Sequence, residues 1–294
     1  MRLSCLIIVG LTTTLPAPAA SIDEMIVKSG ISGGIAVFVN IDDPAPAAAL
    51  GKSDRFLVQM LHKDSTTLTR LRQSLQAGDY GRLSAVQLEN GPLPFIDNGV
   101  NLIVCGDATA ATNAELMRVL TPRGVAFVPN GDDWQTLRKP VPADIDDWTH
   151  ALYNATNSVV SNDARVGPPR RLQWLAGPGW SRSHEHMISF NAMVSDQGIV
   201  YYVVDMGARS SVALPAHWTL FARDAFNGKT LWSKQLPSWS NHMWPLKTGP
   251  TQIQRRLVAY GGKVYVPLGA TAAVSVIDGI SGKVLTTLEG TENC

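Results

Sequence analysis

A pattern in the second half of the chain occurs twice, and few folds are compatible with it. Gly198-Ile-Val-Tyr-Tyr-Val203 corresponds to Gly262-Lys-Val-Tyr-Val266, and Asp224-Ala-Phe-Asn-Gly-Lys-Thr-Leu-Trp232 to Asp278-Gly-Ile-Ser-Gly-Lys-Val-Leu-Thr286. The first copy is the longer, with its extra residues near positions 207–215. Each copy reads as strand, strand, tight turn, strand. In the turn, Asp224 and Asp278 are placed to accept hydrogen bonds from turn N–H groups, while Gly228 and Gly282 supply positive φ. These four residues, with Trp232 at the end of the first copy, therefore have structural roles. Four short strands recurring every ~50–60 residues describe propeller blades.

The first half is built differently. All eight tryptophans, Trp134 to Trp244, lie beyond residue 133. Residues 35–39, 56–61, 83–88, 101–105 and 125–128 are short apolar runs without alternation, as expected for strands covered on both faces. Between them, residues 45–50, 65–76 and 113–120 have helical spacing. Asp43 is a candidate N-cap with Pro44 at the first helical position, and Gly124 closes the last helix. Strands alternating with helices predict a mostly parallel sheet with helices on both faces. Residues 131–150, rich in Pro and Asp without either period, read as a linker.

Residues 1–20 carry one charge, Arg2, then an apolar run and Ala17-x-Ala19. That is the layout of a secretory signal peptide, and the run is far shorter than the ~20 residues of a membrane span. An exported protein is expected, periplasmic or at the cell surface, with no membrane span. Of three cysteines, Cys5 falls within this segment, and Cys105 and Cys294 give no disulfide framework. With 25 basic against 24 acidic residues, nucleic acid is not an expected partner.

Three blocks in the first half resemble class I S-adenosylmethionine-dependent methyltransferases. They are Gly33-Gly-Ile-Ala-Val-Phe-Val39, Leu93-Pro-Phe-Ile-Asp-Asn-Gly-Val-Asn-Leu-Ile-Val104 and Glu115-Leu-Met-Arg-Val-Leu-Thr-Pro-Arg-Gly-Val125. The resemblance implies a Rossmann-like domain over residues 21–130, with a glycine-rich cofactor loop after the first strand. Here the matching positions are Asn40, Asp42 and Pro44. Proline has no N–H to donate, and the acidic pair Asp42 and Asp43 stands where the family holds the cofactor's own carboxylate. Like charges a few Å apart cost about 1–4 kcal/mol. The family's ribose-gripping acidic residue falls at His62, with Asp64 two residues on as a substitute. Asp64 and Asp97 are the residues an active methyltransferase would use. The expectation is a degenerate domain that keeps the fold without the catalysis.

The second half resembles pyrroloquinoline-quinone-type propeller repeats. The wider text, from Asp146-Asp-Trp-Thr-His150 through Trp180-Ser-Arg-Ser-His-Glu-His186 to Arg223-Asp-Ala-Phe-Asn-Gly228, resembles exported bacterial proteins that join a methyltransferase-like domain to such a propeller. The fold class expected is thus a Rossmann-like methyltransferase-type α/β domain followed by an all-β partial propeller. Residues 151–294 supply its first two or so quinoprotein-like blades. Closed propellers use at least about four blades, so a truncated chain, or blades supplied by another chain, is expected.

His184 and His186, two apart on a strand, face the same way and are the candidate metal ligands. Hydrogen-bonded histidines lining a propeller face are the simpler alternative. Residues 239–244 offer an aromatic ligand floor or inter-blade packing. For a quinone cofactor the available acids are Asp205, Asp224 and Asp278, the last two already used in turns. S-adenosylmethionine and pyrroloquinoline quinone are thus implied only by resemblance. The function expected is non-catalytic binding or scaffolding, with an unidentified small molecule or protein at the propeller face. An active methyltransferase and a quinone- or metal-dependent oxidoreductase are the rivals.

Overall fold

The computed structural model describes residues 21–168, 172–177, 179, 189–211, 213–240 and 252–292. The signal-peptide segment, Cys5, Cys294, His184 and His186 lie outside them.

Five parallel strands form the first sheet: β1 (Gly34–Val39), β2 (Phe56–His62), β3 (Leu83–Gln87), β4 (Val100–Cys105) and β5 (Leu120–Asn130). A sixth, β6 (Asp133–Arg138), pairs antiparallel with β5, giving the order β3-β2-β1-β4-β5-β6. The central strands are apolar throughout because helices and loops cover both of their faces. On one face α1 (Ile22–Ser29), α2 (Ala45–Gly51) and α3 (Ser65–Ser74) bury Met25, Ala47, Leu68 and Leu71 against Phe38, Met60 and Val104. On the other, α4 (Asn113–Val119) and the β3–β4 connection bury Leu116, Val119 and Leu93 against Val37 and Ile103.

Two local expectations are corrected here. The start of the linker is a strand: residues 131 and 132 form a hairpin turn, and β6 follows. Its Trp134 packs on one core and Leu137 on the other. It escapes a pattern search because it is a half-exposed edge with a polar or charged residue at most positions. The last helix also ends one residue early, at Val119, as Leu120 adopts extended angles. Gly124 does not close the helix. It sits within β5 beside the register slip against β4, where a Cβ would come within 2.8 Å of the Thr121 carbonyl oxygen.

The remaining strands form two four-stranded antiparallel meanders. The first comprises β7 (Phe190–Asp196), β8 (Ile199–Asp205), β9 (Trp218–Asp224) and β10 (Thr230–Gln235). The second comprises β11 (Val258–Tyr260), β12 (Lys263–Pro267), β13 (Val274–Asp278) and β14 (Val284–Leu288). They share one core, with Val194, Tyr201, Val203 and Leu220 of the first meeting Ala259, Val264, Val266 and Ile277 of the second. Four-stranded meanders packed face to face are compatible with propeller blades.

Both repeat turns are built alike. Asp224 Oδ1 accepts from the N–H groups of Phe226 (2.8 Å) and Asn227 (3.0 Å), and Asp278 Oδ1 from that of Ser281 (2.7 Å). Gly228 (φ 74°) and Gly282 (φ 73°) complete the turns. A tryptophan lies flat on each glycine: Trp174 on Gly228 and Trp232 on Gly282, so that any Cβ would overlap the ring. Each indole N–H donates to a turn carbonyl, Trp174 to Ala225 (2.9 Å) and Trp232 to Gly279 (2.8 Å). Glycine is required twice over, by backbone angle and by ring contact.

These turns dock on the amino-terminal edge of the six-stranded sheet. Asn101, on β4, is the hub. Its Nδ2 donates to Asp224 Oδ2 (2.7 Å), and its Oδ1 accepts from the Ile35 N–H (2.8 Å) and from Asn227 Nδ2 (2.7 Å). Lys229 donates to the Asp54 carbonyl (2.6 Å), and Arg55 reaches the Ile280 carbonyl of the second turn. The opposite, carboxyl-terminal edge of the sheet is left clear of the meanders by these contacts.

Candidate functional site

In an open parallel sheet, ligands bind beyond the carboxyl ends of the strands, where the strand order reverses. Here that point lies between β1 and β4, and the sequence-derived positions Asn40, Asp42, His62 and Asp64 gather around it. Asn40 directly follows β1 with φ 52°, a left-handed conformation that asparagine tolerates better than most residues. Its Nδ2 donates to Asp107 Oδ2 (2.8 Å) beyond β4, and its Oδ1 accepts from the Lys63 N–H (3.0 Å) beyond β2. One side chain thus ties three strand ends together. Gly106 approaches so closely that a Cβ there would overlap the Asn40 carbonyl.

Asp107 spends its other oxygen on the Thr109 N–H (2.8 Å) and hydroxyl (2.7 Å). Although burial opposes it, the hydrogen bonds from Asn40 and Thr109 hold its carboxyl below the ordinary range. His62 is buried at the end of β2, and Asp42 extends from the β1–α2 loop to meet its Nε2 at 3.0 Å. The Asp64 N–H donates to His62 Nδ1 at 3.0 Å. An N–H only donates, so Nδ1 is the unprotonated nitrogen and the ring proton sits on Nε2, directed at Asp42. The Asp64 carbonyl, 3.2 Å from the same Nδ1, receives no proton in this tautomer. Both ring nitrogens are engaged, which leaves His62 no lone pair for base catalysis. Asp64 caps α3 by accepting from the Thr67 N–H at 2.6 Å, and that bond lowers its pKa.

Asp97 is not part of this group. It precedes β4, at the other edge of the sheet, where it pairs with Arg118 at 2.7 Å. Arg118 also donates to Glu115 and to the Leu93 and Phe95 carbonyls, so the cluster clamps the β3–β4 connection. Sequence reasoning passed over Asp107 and Asn101. Each carries a legible signal: a polar residue just after, or within, the most apolar strand.

A cavity of 370 Å³ lies beside the crevice, lined by Lys63, Glu89, Asn90, Thr109 and Thr112. Cys105 is fully buried, and desolvation pushes its thiol up to about 12, out of reach of thiolate chemistry at neutral pH. In the meanders, Asp205 Oδ1 accepts from the N–H groups of Gly207 and His217, both at 2.8 Å. Trp239 is buried, with its indole N–H on Asn191 Oδ1 (2.9 Å) and the Arg256 guanidinium over its ring. Residues 241–244 of the aromatic stretch lie outside the described residues. Among the described residues, no group of three His, Cys, Asp or Glu is disposed to hold a metal ion. Among the same residues no helix is long and apolar enough to cross a membrane.

Strand order, register and layering define a Rossmann-like α/β domain followed by an all-β region. No protein-family model matches the chain, and no curated protein matches it. Among solved structures it is similar to a Methanococcus maripaludis protein assigned as an S-adenosyl-L-methionine-dependent methyltransferase, at 24% identity and TM-score 0.31. That match covers 36% of this chain and 52% of the other. It is similar to a SAM-dependent methyltransferase from Aquifex aeolicus, at 13% identity and TM-score 0.31, over 36% and 62% of the two chains. It is also similar to the [4+2]-cyclase SpnF, at 16% identity and TM-score 0.31, over 36% and 42%. The chain thus spans between 42% and 62% of the length of these three structures. Such likeness concerns the fold alone.

Proposed function

We propose that this chain is an exported, non-catalytic binding or scaffolding protein, in which a degenerate methyltransferase-like domain is fused to quinoprotein-like propeller repeats. The observation that carries the reading is the lacing of the crevice. Asn40, Asp107 and Lys63 bridge the ends of β1, β4 and β2, and Asp42 spans from the first loop to His62. A nucleoside cofactor entering there would break these bonds and bring its carboxylate toward Asp42 and Asp43. The residues present therefore do not fit S-adenosylmethionine, and no methyl-transfer step is derived. Export, which rests on residues 1–20, places the protein in the periplasm or at the cell surface, away from the cytosolic source of that cofactor.

The test is calorimetric titration of the purified protein with S-adenosylmethionine, alongside an Asn40→Gly variant that keeps the left-handed backbone but removes the bridge. No binding heat is expected from the parent chain, and micromolar affinity would overturn the reading. N-terminal sequencing of the protein recovered from the periplasm is expected to begin at or next to Ser21, and a cytosolic, uncleaved product would refute export.

A further inference from the structure

The packing between the two meanders is head to tail. Cross-strand register puts Val194, Tyr201, Ala222 and Trp232 in line on one face of the first meander. This front face buries itself against the back of the second, Ala259, Val264 and Ile277. By the sequence repeat, the front of the second meander is the line Val258, Tyr265, Val276 and Thr286, and it faces away from the first. The back of the first meander is the line Met193, Tyr202 and Phe221, and it faces away from the second.

Both outward faces are apolar and open among the described residues. On the back, the Phe190, Tyr202 and Phe221 rings stack in sequence, with centroids 5.4 and 5.3 Å apart. A cavity of 290 Å³ separates them from Trp174 and Gly177, and Phe190 and Met193 remain 47% and 54% exposed. On the front, Tyr260 and Leu288 are 67% and 41% exposed, and every residue of β14 is exposed. The tryptophan positions also complement each other. Thr286 stands on the front of the second meander where Trp232 stands on the first, while the turn of the first meander already holds Trp174.

We infer that these two faces are the separated halves of one heterologous interface, and that the front of the second meander in one copy packs on the back of the first meander in another. The interface already formed within the chain supplies the template, and the chain carries one unused half at each end of the pair. A contact of this type joins copies into rings or open arrays. The inference rests on the packing of the repeats and is independent of whether the crevice binds a cofactor.

Sedimentation velocity across the micromolar range tests it with Met193→Asp on the back and Thr286→Asp on the front, both at exposed positions. The parent chain is expected to gain mass with concentration, and each variant alone to stay monomeric. An equimolar mixture retains one intact front and one intact back, so its mass is expected to double and grow no further. Phe190→Asp and Leu288→Asp form a second pair on the same faces, should a first variant fail to show native circular dichroism. A monomeric parent at all concentrations, a single variant that assembles as the parent does, or a mixture that stays monomeric would overturn the inference.

Discussion

Asp224 shows how much a single carboxylate can carry. Its residue is 7% exposed, and it faces an amide and two backbone N–H groups, with no cation among its hydrogen-bond partners. Burial raises its pKa above the ordinary carboxylate range, and the bonds from Asn101 and the turn only partly offset this. A carboxyl whose folded pKa exceeds its unfolded value of about 3.9 contributes stability that is complete below that value. The contribution is lost as pH rises through the folded value. Asp224→Asn removes this loss, at the cost of one bond to Asn101. The stability of the variant relative to the parent is therefore expected to improve steadily as pH climbs from about 4 toward neutrality. Urea midpoints across a pH series measure this, and parallel curves would refute it. The turn itself was legible from Asp, Gly and their spacing. Its burial was not, because Asn101, the partner that buries it, is more than a hundred residues away in sequence.

At the scale of elements, what was legible followed apolar continuity. The strands β1 to β4 and the helices between them announce themselves because each buries a whole face. The strand β6 and the bulge at Gly124 were hidden, since an edge strand has one wet side and a bulge depends on its neighbour's register. The opposite edge, β3, is guarded by a residue no pattern highlights. Arg72 of α3 donates its Nε–H to the Ala85 carbonyl at 3.0 Å. Parallel pairing with β2 leaves that carbonyl pointing outward, so the arginine caps an edge that would otherwise template further pairing. Arg72→Ala is expected to cost only about 1 kcal/mol in stability. It is expected to raise the rate of aggregation on mild heating several-fold, as followed by light scattering. Unchanged aggregation at that small loss would show that the edge is protected by other means.

For the whole molecule, the decisive arrangement is that both repeat turns sit on the amino-terminal edge of the α/β sheet. Interfaces between domains of one chain are commonly polar and permit relative motion. This one is polar but fully engaged: Asn101 satisfies donors and acceptors on both sides, Arg55 and Lys229 cross in opposite directions, and Leu231 packs within 2.8 Å of where a Gly33 Cβ would be. The composition break near residue 133 suggests two separate units, yet β6 belongs to the first sheet and the turns of the second region complete its lower edge. Unfolding is therefore expected to be a single calorimetric transition. Asn101→Ala leaves the Asp224 carboxylate without its side-chain partner inside the interface, which costs about 2–3 kcal/mol. Combined with Arg55→Ala, it is expected to split the endotherm in two, the α/β domain and the meanders then melting independently. A parent chain that already melts in two steps would mean that these bonds decorate the interface without holding it. The carboxyl-terminal edge would then be a ligand site free to move against the repeats, and the scaffold reading would lose its mechanical basis.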